Sequence, residues 1–124
     1  MIFGIALGGA LGTVARYWLG GVAQRYSDAF PYGTLTINVT GSLILGFLAR
    51  YLTQTPASPE LRAALTIGFC GGFTTFSTFS YEAARLMEDG STSRAITYMA
   101  ASVLLSLAAM FAGFAIARAV LAPR

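Results

Sequence analysis

The sequence contains no histidine and no lysine, and its single cysteine is Cys70. Without histidine and with one thiol, a zinc cage, a Cys/His dyad and an internal disulfide are all excluded. No nucleophile–base pair can be assembled either, so the chain is read as something other than an enzyme. Cys70 lies in an apolar run and reads as a small buried filler. Carboxylates are scarce: five Asp and Glu against eight Arg. The pI of about 9.4 therefore reflects missing acids. It is not a nucleic-acid footprint, because no arginine cluster or stripe exists to follow phosphates. Charged residues make up only 10% of the 124 residues, against roughly 25% in soluble domains.

What fills the space is hydrocarbon. Hydrophobic residues are 56% of the chain, and the mean hydropathy is +0.66. Four apolar segments stand out, at residues 2–23, 35–52, 61–87 and 93–121. Each is expected to cross a bilayer, which takes about 20 apolar residues. Pro31, Pro56, Pro59 and Pro123 all fall between or after these segments, where a helix tolerates them. Ser58-Pro59-Glu60 reads as an N-cap, an N1 proline and a first-turn carboxylate. Asp89-Gly90-Ser91 reads as a helix stop. The first segment lacks the basic start of a signal peptide and is read as a retained span. The expectation is an all-α membrane protein, residues 1–124 forming a single four-helix transmembrane domain.

The stretch Gly71-Gly72-Phe73-Thr74-Thr75-Phe76-Ser77-Thr78-Phe79-Ser80 disturbs this pattern. Five hydroxyls alternate with aromatic rings after a glycine pair, and that suits a third helix broken at mid-membrane, its freed backbone facing a ligand. Phe76 and Phe79 share a helix face, and the positive edges of phenyl rings can meet an anion without a formal charge. Other polar groups inside spans need explaining too. Asn38 serves either as an interhelical hydrogen bond or as a pore amide. Tyr98, Ser102 and Ser106 recur at spacing four and form one hydroxyl stripe. Arg16 and Glu82 lie near span ends, either snorkelling or forming a charged mouth.

Two further patterns concern assembly. Gly4, Gly8 and Gly12, with Gly68 and Gly72, form small-residue ridges that fit ordinary packing within one bundle, though so much small-residue surface suggests self-association. Counting the N-terminal end as side one, Arg50, Arg62, Arg118 and Arg124 fall there, and Arg16, Arg25, Arg85 and Arg94 fall opposite. Orientation follows Lys/Arg bias. With none, the chain is expected to insert both ways, and opposed copies can pair; the alternative is a fixed topology set by helix hydrophobicity or an insertion factor.

Gly33-Thr-Leu-x-x-Asn38-x-x-Gly41-Ser, the string from Gly68 to Ser80, and Gly9-Ala-Leu-Gly-x-x-Ala-Arg16-Tyr together resemble the Fluc family of small fluoride channels. The resemblance covers nearly the whole chain. It implies an antiparallel, dual-topology homodimer with two pores, exporting fluoride passively across the inner or plasma membrane of a microbe and so conferring fluoride resistance. It implies that Asn38 is the pore asparagine and that Phe76 and Phe79 coordinate fluoride. Ser77 and Thr78 then join the pathway, and Tyr98, Ser102 and Ser106 match its hydroxyl track. Arg16 and Glu82 match vestibule positions. The implied cofactor is a structural sodium ion at the dimer interface, held by the backbone carbonyls of Gly71 and Thr74 from each subunit. The expected partners are fluoride, a second copy and lipid, with no nucleic acid. A small multidrug-type exporter is the rival, but no Asp or Glu lies in the interior of a span to carry its protons, Glu82 being near an end. A non-transporting accessory subunit leaves the hydroxyl stripe without a purpose.

Overall fold

A computed structural model describes residues 1–123. Among them the ordered elements are all helical. Helix α1 is Ile2–Gln24 and α2 is Tyr32–Thr53. A third rod is built from α3, Pro59–Ala63, a π-helical stretch, Ala64–Cys70, and α4, Gly71–Phe73. Helix α5 is Phe76–Glu88 and α6 is Thr92–Leu121. Three of these, α1, α2 and α6, are long and apolar enough to cross a membrane. The third apolar segment is divided between α4 and α5, at Thr74–Thr75, and its C-terminal piece α5 has only 13 residues.

Local chemistry sets the ends. The Ser58 hydroxyl accepts the Leu61 N–H at 3.2 Å, with Pro59 at N1, so this cap forms as read from the sequence. Helix α5 ends at Gly90, whose φ of +76° is the left-handed turn glycine allows. There the Gly90 and Ser91 amides return to the Met87 and Leu86 carbonyls. The loop after α1 is tied by Gln24. Its amide donates to the Ser27 and Phe30 carbonyls, and its Oε1 accepts the Gly33 N–H at 3.0 Å.

In lipid, helices gain little from hydrophobic burial against one another and rely on close van der Waals contact. Glycine provides it here. A Cβ on Gly8 would run into the Ala64 carbonyl, and one on Gly12 into the Phe69 carbonyl; one on Gly68 or Gly72 would strike the backbone of α1. Overpacking of this kind costs about 1–3 kcal/mol. The glycine ridges are thus spent inside the chain, joining α1 to the third rod. This corrects the reading that they mark a self-association surface. The most extensive packing, between α2 and α6, uses Gly46 and Gly113 in the same way.

The glycine pair is also not where the chain leaves the helix. Gly71 is ordinary right-handed helix, with φ −65° and ψ −38°. The departure comes at Thr74 (φ −87°, ψ 160°) and Thr75 (φ −152°, ψ 121°), both extended. Gly72 is small because it touches Gly9, not because its backbone needs freedom.

Candidate functional site

The extended pair Thr74–Thr75 is held by side chains from two other helices. Asn38 on α2 faces it squarely: its Oδ1 accepts the Thr75 N–H at 2.8 Å and its Nδ2 donates to the Thr75 carbonyl at 3.0 Å. Arg16 on α1 donates through Nη1 to the Thr74 carbonyl at 3.2 Å. These bonds replace ones a continuous helix would have made for itself. The hydroxyl of Thr75 then accepts the Thr78 N–H at 3.3 Å and caps α5. Asn38 Nδ2 carries two hydrogens, so one remains after the bond to Thr75.

Beside this link lies a crevice of about 420 Å³ between α2, α5 and α6. Asn38, Thr75, Phe76, Phe79, Ser102 and Ser106 line it, with an apolar flank from Leu45, Leu107 and Met110. Six of the residues singled out in the sequence, Asn38, Thr74, Phe76, Phe79, Ser102 and Ser106, therefore meet in one place. The Phe76 and Phe79 rings lie 5.4 Å apart, tilted by 43°. Phe79 also packs against Tyr98 at 5.2 Å. Phe76 is 79% exposed, so the crevice lacks a wall on that side.

Ser102 is the unusual member. It is only 7% exposed, and its Oγ has no hydrogen-bond partner. Helical hydroxyls normally bond back to the preceding turn. Ser42, Thr66, Ser80 and Thr97 all do so here. Leaving a buried hydroxyl unpaired costs about 1–3 kcal/mol. Ser102 bears that cost at the wall of the crevice.

Other residues of the sequence reading fall elsewhere. Tyr98 is fully buried and donates its hydroxyl to Glu82 Oε2 at 2.6 Å, while Thr34 donates to Glu82 Oε1 at 2.8 Å. Glu82 is thereby tied to α2 and α6 by two charge-assisted bonds. Thr78 lines a neighbouring crevice of about 340 Å³ with Arg16, Thr34, Thr75 and Glu82. Ser77 is exposed and lies within 3.5 Å of the Thr75 hydroxyl, outside the first crevice. Sequence reasoning assigned no role to Thr34, Thr75 or Ser42. Thr34 and Ser42 stand in the quoted Gly33–Ser42 motif, which was the one available signal.

Among the described residues, no cluster of His, Cys, Asp and Glu could hold a metal. Neutral oxygens, of the backbone and of amide and hydroxyl side chains, are the remaining donors. The Thr75 N–H that would close a turn on the Gly71 carbonyl goes to Asn38 instead, and Gly71 faces open space. A freed carbonyl of this kind suits a hard monovalent cation. The Thr74 carbonyl already accepts from Arg16 but has a second lone pair.

Three long apolar helices, two of which wall a crevice lined by amide, hydroxyl and phenyl groups, define a multi-pass helical membrane protein. Residues 3–114 match the family described as CrcB-like protein, Camphor Resistance (CrcB), and the chain belongs to that family. It is 50% identical over 117 residues to a protein of Rhizobium meliloti (strain 1021) named Fluoride-specific ion channel FluC, covering 93% of this chain and 94% of that one. A Geobacter metallireducens protein of the same name is 50% identical over 119 residues, covering 94% and 96%. One from Rhizobium etli is 51% identical over 117 residues, covering 93% and 94%.

Proposed function

We propose that this protein is a fluoride-selective ion channel that lets fluoride leave the cell passively. The observation that carries this reading is the buried, unpartnered hydroxyl of Ser102 on a crevice shared with Asn38, Phe76, Phe79 and Ser106. Fluoride is small and strongly hydrated, and moving a bare ion into low dielectric costs tens of kcal/mol, roughly. A path must therefore replace water with hydrogen-bond donors. The free Asn38 hydrogen, the Ser102 and Ser106 hydroxyls and the ring edges of Phe76 and Phe79 are such donors, and all are neutral. Neutral donors hold an anion weakly enough to release it, as conduction requires. Arg16, Thr34, Thr78, Glu82 and Tyr98 then form the adjoining vestibule and hydroxyl track, with Ser77 at its exposed margin.

The functional unit in this reading is an antiparallel homodimer with two pores, the Thr74–Thr75 link lying at mid-membrane. Exposed Phe76 and the open side of the crevice leave room for a wall from a second copy, and the arginine balance favours opposed insertion. A sodium ion held by the Gly71 and Thr74 carbonyls of both copies would supply positive charge that ties the two links together. Proteoliposomes tested with a fluoride electrode, with chloride run in parallel, should release fluoride and retain chloride. Equal release of both anions, or of neither, contradicts the proposal.

A further inference from the structure

The outward face of α1, near its C-terminal end, carries a feature that the crevice does not use. Tyr17, Trp18, Gly21, Val22 and Arg25 line a groove of about 450 Å³. Their spacing puts them on one side of the helix. Gly21 makes the notch: a Cβ there would meet nothing within 4 Å, so the space is open surface and not a packing contact. Its walls are rings, with Tyr17 81% and Trp18 75% exposed. Arg25, just past the last turn, is exposed as well. The only ion pair among the described residues is Arg85–Asp89, so no carboxylate answers Arg25.

Each part has a lipid counterpart. Trp and Tyr settle at headgroup level. The notch at Gly21 and Val22 lies between these rings and Arg25, about one helical turn from each, and suits the upper part of an acyl chain. A guanidinium above them presents paired N–H donors to a phosphate. We propose that this groove is a selective seat for one anionic phospholipid, its chain lying against Gly21 and its headgroup on Arg25. A second copy of the chain is the competing occupant. A symmetric contact through α1 would press Arg25 against a helix with no Asp or Glu, the nearest carboxylate in sequence being Asp28 in the loop beyond.

Trp18 is the only tryptophan, so its emission reports on this groove alone. The full-length protein is placed in phosphatidylcholine vesicles, and quenching is titrated with brominated phosphatidylglycerol or brominated phosphatidylcholine. The expected result is a preference of about fivefold for the anionic lipid, the weight of one arginine at a charged surface. Arg25→Gln should bring the ratio near one, and Arg25→Lys should largely keep it. Arg94→Gln, on the same membrane side but outside the groove, should leave it unchanged. Gly21→Leu fills the notch with Arg25 intact and should also lower the ratio. Equal quenching by the two lipids overturns the proposal. So does a preference that survives Arg25→Gln or Gly21→Leu. Absence of quenching by either lipid means a protein surface covers the groove, and that overturns it too.

Discussion

Asn38 and Thr75 exchange two hydrogen bonds across 37 positions of sequence, side-chain amide to backbone amide. Asn38 thus acts as a strut for the extended link, and it still lines the crevice with a hydrogen to spare. The interhelical and pore readings of this residue are compatible.

That double bond changes what substitutions at Asn38 should do. Asn38→Asp keeps an acceptor for the Thr75 N–H but faces the Thr75 carbonyl with a second acceptor. Fluoride efflux should vanish, and thermal unfolding should show a loss of about 1–3 kcal/mol, the cost of an unpaired buried group. Serine is too short to span both bonds, so Asn38→Ser should be destabilised as well as slow. Wild-type stability in Asn38→Asp would show that the strut carries no weight.

The two phenylalanines should separate by stability. Phe76 is mostly exposed, whereas Phe79 packs on Tyr98. Replacing either with isoleucine keeps bulk and removes the ring edge. Efflux should fall about tenfold in both, equivalent to about 1.4 kcal/mol of barrier. Only Phe79→Ile should also lower the melting temperature. Unchanged efflux in both variants would remove the rings from the path.

The three long helices and most helix ends were legible in the sequence, because apolar runs of bilayer length and capping residues such as Ser58 and Gly90 act locally. The link was legible only as a region. The glycine pair drew attention to residues 71–72, but glycine there serves contact with Gly9, and the extended torsions belong to Thr74 and Thr75. Arg16 reaches Thr74 from 58 positions away, and no local pattern announces such a bond. Ser102 reads as one serine in a stripe; that its hydroxyl lacks a partner depends on every neighbour around it.

If a sodium ion is held as proposed, its removal should act through the Gly71 carbonyl. Replacing sodium with a large organic cation should lower the melting temperature of the purified protein. A Cβ at Gly71 would meet nothing within 4 Å and the backbone there is ordinary helix, so Gly71→Leu should keep the helicity of single chains while gel filtration shows loss of pairing. A melting temperature indifferent to sodium would refute the ion's structural role.

Topology follows from charge balance. A C-terminal reporter should be found on both sides of the membrane, and two or three lysines added after Leu121 should bias it to one side and reduce activity when that form is expressed alone. A reporter confined to one side in the unmodified protein would contradict dual insertion.

Ser102→Ala tests the path most directly, because it deletes one hydroxyl that bonds to nothing in the chain. On structural grounds alone the change should be harmless or stabilising, since an unpaired buried group disappears. If that hydroxyl takes the place of water around fluoride, efflux from liposomes at matched protein density should drop several-fold, on the order of the 1–1.5 kcal/mol of a hydrogen bond, while the melting temperature holds or rises. Wild-type efflux in Ser102→Ala would place the ion's route outside this crevice.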